Sequence, residues 1–196
     1  LIERDLGMTV CGEADNIRDA MRLIGETKPD IAIVDITLRG SSGLELLKDI
    51  KGAIQEGRLI AVCGVVGSGK AVTMRRLQQQ LKEENKVTVS KSLTVEKHSV
   101  KLTTLIAALF YDISTDKKVH IPKGEQRERE LRDLVRKNKR PIALFVDEAH
   151  DLNSHTLTGL KRLIEVIEDG DGRLSVILSG HPKLRNDLRR PTMEEI

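Results

Sequence analysis

The chain has no tryptophan, one tyrosine and two phenylalanines in 196 residues. Proteins that stack nucleic-acid bases on aromatic platforms use several such rings, so that mode of recognition is not expected. Cysteine is almost as scarce. Cys11 and Cys63 are the only two, and both lie in strand-like apolar runs. They read as buried thiols of a cytoplasmic protein, not as a disulfide framework. Metal-ligand spacing is also missing. His150 and His155 lie five apart without matching partners and read as a solvated pair at a helix start. The longest apolar runs, "LIAVCGVV" and "IALFV", are far too short to span a bilayer, so no membrane association is expected. The opening "LIERDLG" has no basic segment of the kind that begins a secretory signal. It also has no initiator methionine, as expected of a fragment.

Charge is present in quantity and is uneven. Residues 1–50 hold 6 basic and 10 acidic side chains, net −4; residues 51–196 hold 27 and 20, net +7. The asymmetry points to two pieces of different origin. A net +7 permits polyanion binding without requiring it. Seven basic and four acidic residues alternate along "EQRERELRDLVRKNKR", the pattern of a solvated helix face. Its terminal cluster, Arg136, Lys137, Lys139 and Arg140, is the candidate contact with DNA phosphates.

Periodicity gives an α/β alternation. "MTVCG" reads as a short strand over 8–12, and a helix follows with Asp15 as expected N-cap, ended by Pro29. "DIAIVDI" is a buried strand over 31–36, and "LELLKDIK" a second helix. The two strands are expected to pair with each other and either to join an edge of the main sheet or to stay poorly anchored. From Gly52 the pattern restarts, with strands expected over 59–64, 86–90, 142–147 and 174–179 and helices between them.

The strand at 59–64 runs into "GVVGSGKAVT", and a helix leaves it. Glycines at this spacing let successive backbone N–H groups converge on phosphate oxygens, and the helix N-terminus adds partial positive charge. Gly64, Val65, Val66, Gly67, Ser68, Gly69, Lys70, Ala71 and Val72 are therefore the expected nucleotide cradle, with Lys70 reaching the β- and γ-phosphates. The motif asks for Ser or Thr at the next position, to ligate Mg²⁺, and the chain has Ala71. Water can fill that place, since Mg²⁺ keeps several waters. Binding is expected to survive and turnover to fall.

The acidic end of "IALFVDEAH" comes 77 residues after Lys70. Asp147 is expected to hold Mg²⁺, and Glu148 to orient and deprotonate the attacking water, the Walker B arrangement. The next strand, "LSVILSG", ends in Ser179, Gly180 and His181. His181 is the first candidate for sensing the γ-phosphate and Ser179 the second. "DEAH" also suggests a helicase, but that reading needs a second RecA-like domain, for which the chain is too short.

Residues 52–196 resemble an AAA+ ATPase core, more closely the ExeA-like and TniB-like ATP-binding helpers of bacterial transposition. The likeness rests on "GVVGSGK", "LFVDEAHDL", "TLTGLKRLIE" and "SGHPKLRNDLRRPTMEEI". It implies an α/β fold: a three-layer parallel sheet of the P-loop NTPase type that stops at Ile196, before the lid, arginine finger and sensor 2. It also implies ATP and Mg²⁺ as cofactors, DNA and a transposase as partners, and self-assembly where the lid is present. Relatives carry Thr-Thr where this chain has Ala71-Val72, which implies weakened hydrolysis. Residues 1–51 resemble instead the middle of a NarL/FixJ-type response-regulator receiver, a βαβα fragment. Asp35 stands where that family's phospho-acceptor would be. The family's acidic pair and later Thr/Ser and Lys are absent, so Asp35 reads as vestigial. Two alternatives stay open: a phosphorelay regulator with an ATPase output, and a nucleotide scaffold without turnover.

Overall fold

The computed structural model describes residues 11–29, 31–35, 50–92, 100–115 and 119–188. Its elements in chain order are α1 (Ile17–Thr27), β1 (Ile31–Asp35), a helical stretch at 50–55, β2 (Leu59–Cys63), α2 (Lys70–Glu84) and β3 (Thr88–Lys91). Then come α3 (Leu102–Ile113), α4 (Glu125–Asn138), β4 (Ile142–Val146), a 3₁₀ turn (Ala149–Asp151), α5 (Ser154–Glu168), β5 (Leu174–Gly180) and α6 (Lys183–Asp187). The five strands form one sheet, every pairing parallel, in the order β1-β2-β5-β4-β3. This is the expected α/β fold.

The near-continuous apolar runs explain the three central strands. Every residue of β2, β4 and β5 is buried, because helices cover both faces of a parallel sheet. Alternate side chains divide between two cores. Leu59, Ala61, Leu144, Val176 and Leu178 meet α3, α4 and α5 through residues such as Leu105, Leu131 and Leu160. Ile60, Val62, Phe145 and Ile177 meet Met74, Leu77 and Leu81 of α2. Ile50, Ala53 and Ile54 belong to this second core, so the chain is already packed under α2 where its cadence changes.

β1 joins the edge of the main sheet. It pairs with β2 from Ile31↔Leu59 to Asp35↔Cys63. The other face of β2 is taken by β5, so β1 satisfies the row of backbone groups that β2 would otherwise expose. Arg58 strengthens the junction by donating from its guanidinium to the Pro29 carbonyl. The strand expected at 8–12 lies mostly outside the described residues. The α1 cap is Asn16, one residue past the expected Asp15: its side chain accepts from the Asp19 amide at 3.0 Å. At the other edge, Asp112 of α3 accepts from the Ser90 hydroxyl at 2.7 Å and the Lys91 amide at 3.1 Å, fixing β3.

Parallel register sends the carboxyl ends of all five strands to one edge, where doubly wound sheets bind ligands. The glycine loop, the acidic pair and the "SGH" turn all leave the sheet there. Among the described residues no helix is long and apolar enough to cross a membrane.

Candidate functional site

The loop between β2 and α2 is built by backbone constraints. The Gly64 amide donates to the Gly180 carbonyl at 3.2 Å, extending the β2–β5 ladder one step past the strand. The Ser68 amide donates to the Val65 carbonyl at 3.2 Å and closes the turn. Gly67 (φ 82°) and Gly69 (φ 86°) are left-handed, a conformation that strains any residue with a Cβ. An added Cβ would meet nothing within 4 Å at either position, so conformation rather than space demands glycine. α2 begins at once after Gly69, without a side-chain cap. The amides of Lys70, Ala71 and Val72 therefore have no carbonyl partner within the helix and point out of its positive end. The Lys70 ammonium bends over the loop, donating to the Gly64 carbonyl at 2.6 Å and the Val65 carbonyl at 2.8 Å. Ser68 Oγ is 3.4 Å away. Val65, Val66 and Val72 leave an exposed apolar flank.

β4 ends at Val146, and the next two residues are the acidic pair. Phe145 pairs with Ile177 and Val146 with Leu178. Two residues beyond Phe145 and Ile177, on the same face by strand alternation, stand Asp147 and Ser179. Both line a cleft between the start of α2 and the strand ends, with Ala71, Met74, Arg75 and Lys91 among its other walls. Ser179 is 3% exposed and its hydroxyl has no hydrogen-bond partner. Asp147 Oδ1 accepts from the Glu148 amide at 3.0 Å. Glu148 itself is left-handed (φ 51°, ψ 36°), an uncommon state for a residue with a Cβ. It turns the chain sharply out of β4 into the 3₁₀ turn. Its carboxylate, about half exposed, has Oε2 3.4 Å from His150 Nδ1.

The structure therefore gathers Ala71, Asp147 and Ser179 around one cleft, beside the helix N-terminus that carries Lys70. His181 does not line it, and neither do Lys70, Glu148 or the loop residues 64–69. Its amide donates to His150 Nδ1 at 3.3 Å, and the two rings stand 6.0 Å apart at 54°. Asp35 closes β1 opposite Cys63, one residue before the glycine loop. The expectation that His150 and His155 form a solvated pair holds for His155 alone. The His150 side chain is 23% exposed and engaged with its neighbours. Sequence spacing held no signal for this, because the position of His150 depends on a 3₁₀ turn and on the approach of β5.

The set of donors fits a nucleotide with its metal. Gly67 and Gly69 supply the left-handed turns of a phosphate-binding loop, and Ser179, whose buried hydroxyl has no hydrogen-bond partner, lines the cleft with Asp147. Among the described residues no three His, Cys, Asp or Glu side chains cluster around a metal position. Asp147 is the carboxylate lining that cleft and is the residue that would hold a Mg²⁺ ion there.

A family model described as an AAA domain matches residues 48–188. Among curated proteins, General secretion pathway protein A of Aeromonas hydrophila is 29% identical over 165 residues, 78% of this chain and 27% of that protein. The uncharacterized transcriptional regulatory protein YxjL of Bacillus subtilis is 35% identical over 60 residues, 31% of this chain and 28% of that one. The chain thus spans under a third of either relative's length. Among solved structures, the Aeropyrum pernix ORC2 protein, in ADPNP–ADP complexes, superposes with a TM-score of 0.55 at 18% identity. That match covers 78% of this chain and 44% of the other, and it is a likeness of fold.

Proposed function

The chain belongs to the AAA domain family, and we propose that it is an ATP-binding module that takes up ATP with Mg²⁺ and turns it over slowly. The observation that carries this reading is the cleft shared by Ala71, Asp147 and Ser179 at the N-terminus of α2. The loop amides and the helix end hold the β- and γ-phosphates. Lys70 exchanges the carbonyls of Gly64 and Val65 for phosphate oxygens. Asp147 would hold Mg²⁺, which would supply positive charge against those phosphates. Glu148 takes a proton from the water that attacks the γ-phosphorus, and ADP leaves. Ser179 lines the cleft and His181 does not, which favours Ser179 as the γ-phosphate contact. Ala71 offers the metal no oxygen, and for that reason turnover is slow.

The wider setting we propose is a transposition helper that couples nucleotide state to DNA and to a transposase. It rests on the ExeA-like and TniB-like motifs and on the exposed cations Arg136, Lys137, Lys139 and Arg140 at the end of α4. Two titrations test the whole. ATP·Mg²⁺ binds with a dissociation constant of about 1–100 μM by calorimetry. Duplex DNA binds the ATP-loaded chain with an affinity that falls steeply as salt rises. Absence of heat at millimolar ATP would sink the nucleotide reading; salt-independent or absent DNA binding would sink the setting alone.

Asp35 in this reading accepts no phosphoryl group, because among the described residues no cluster of His, Cys, Asp or Glu side chains gathers to hold the metal such a transfer needs. Radiolabelled acetyl phosphate leaves the chain unlabelled; label that vanishes in Asp35→Asn would favour the phosphorelay alternative instead.

A further inference from the structure

The turn after the acidic pair holds a histidine with two claims on one nitrogen. His150 lies in the 3₁₀ turn, its backbone pressed against the end of β5. Gly180 makes the approach feasible, since a Cβ there would stand 3.1 Å from the His150 amide nitrogen and 3.4 Å from Nδ1. His150 Nδ1 accepts from the His181 amide at 3.3 Å and also lies 3.4 Å from Glu148 Oε2. A ring nitrogen has either a lone pair or a proton in its plane. With the lone pair it accepts from the amide; with the proton it donates to the carboxylate; it cannot do both. The other nitrogen, Nε2, is 3.9 Å from Asp151 Oδ1, too long for a hydrogen bond that would settle the matter. Lys183 fastens the same turn, donating from its ammonium to the His150 carbonyl at 3.3 Å.

We propose that His150 is a positioning residue with two settings that links the Glu148 carboxylate to the end of β5. In one setting the proton of the neutral ring is on Nδ1. The imidazole then holds Glu148, and the His181 amide is left to water. In the other the proton is on Nε2. Nδ1 then accepts from His181, the turn is fastened, and Glu148 is released. Ser179 stands two residues before His181, so a phosphate held at Ser179 acts on the turn that sets His150. The inference rests on the assignment of Glu148 as the water-activating residue. It adds to that assignment a residue that decides when the carboxylate is available.

The test is amide hydrogen exchange at His181, followed by NMR in the described chain without nucleotide. Loss of the acceptor in His150→Ala speeds exchange about threefold to tenfold, as for an amide losing one modest hydrogen bond. Glu148→Ala is the discriminating variant. It removes the competing carboxylate, commits Nδ1 to His181, and slows exchange about twofold to fivefold. It also moves the Nδ1 nitrogen resonance toward that of an unprotonated ring nitrogen. A histidine that only fills space would respond to His150→Ala and leave Glu148→Ala unchanged. Unchanged His181 exchange in Glu148→Ala therefore overturns the proposal. Should His150→Ala fail to fold, Glu148→Ala carries the test, because that side chain is half exposed. Neither measurement needs ATP, so a failure to bind nucleotide and a failure of this linkage are read separately.

Discussion

Lys70→Ala weakens ATP binding by about 30- to 150-fold, while the protein keeps its fold. The size follows from what the ammonium exchanges. A hydrogen bond to a charged group contributes about 1.5–3 kcal/mol, more than a neutral one. Lys70 already donates to two loop carbonyls, at 2.6 and 2.8 Å, and gives these up to reach phosphate. The net loss on removing it is therefore about 2–3 kcal/mol, less than the sum of its phosphate bonds. Stability is expected to change by less than about 1 kcal/mol, because the carbonyls released by the substitution turn to water. Calorimetric titration with ATP·Mg²⁺ alongside urea unfolding checks both halves. A folded Lys70→Ala protein that binds ATP as tightly as the parent would mean that the glycine loop is not the phosphate site.

Much of this site is readable before any coordinates. β2, β4 and β5 announce themselves because a strand covered on both faces needs no polar residue, and "LIAVC", "IALFV" and "LSVIL" have almost none. The glycine loop is readable because Gly67 and Gly69 must adopt left-handed conformations, which few other residues tolerate. What escapes is anything that depends on register between strands. Ser179 and His181 differ by two positions, and sequence alone puts His181 first to meet a phosphate. The pairing of Phe145 with Ile177 carries Ser179 to the face of Asp147, and the chain leaves the strand before His181. The place of β1 escapes for a similar reason: nothing in "IAIVD" specifies a partner, and the open edge of β2 supplies one. His150 is the sharpest case. Two residues from Glu148, it lies next to His181, 31 positions away, where Gly180, lacking a side chain, leaves room for the approach.

Ala71→Thr raises turnover about 10- to 100-fold, a gain of about 1.4–2.7 kcal/mol in the barrier, with little change in ATP affinity. Ala71 already lines the cleft shared with Asp147 and Ser179, so a hydroxyl there adds an oxygen to the cleft that Asp147 lines. Among the described residues, neither Thr73 nor Ser179 supplies that oxygen. Thr73 follows two residues later, roughly 200° further around the helix. Ser179 reaches the cleft from the sheet and not from the helix end. The cost to the helix is slight, about 0.5 kcal/mol for threonine against alanine. Two readouts separate the causes of slow turnover. If the hydroxyl is limiting, Ala71→Thr lowers the Mg²⁺ concentration for half-maximal rate, and Glu148→Gln in the same background removes the gained activity at least about 100-fold. If Mg²⁺ dependence tightens while the rate stays flat, metal binding is restored and catalysis is limited elsewhere. If neither moves, the assignment of Asp147 and position 71 to a common metal site fails. The same protein therefore tells a damaged ATPase from a nucleotide scaffold that never turned over.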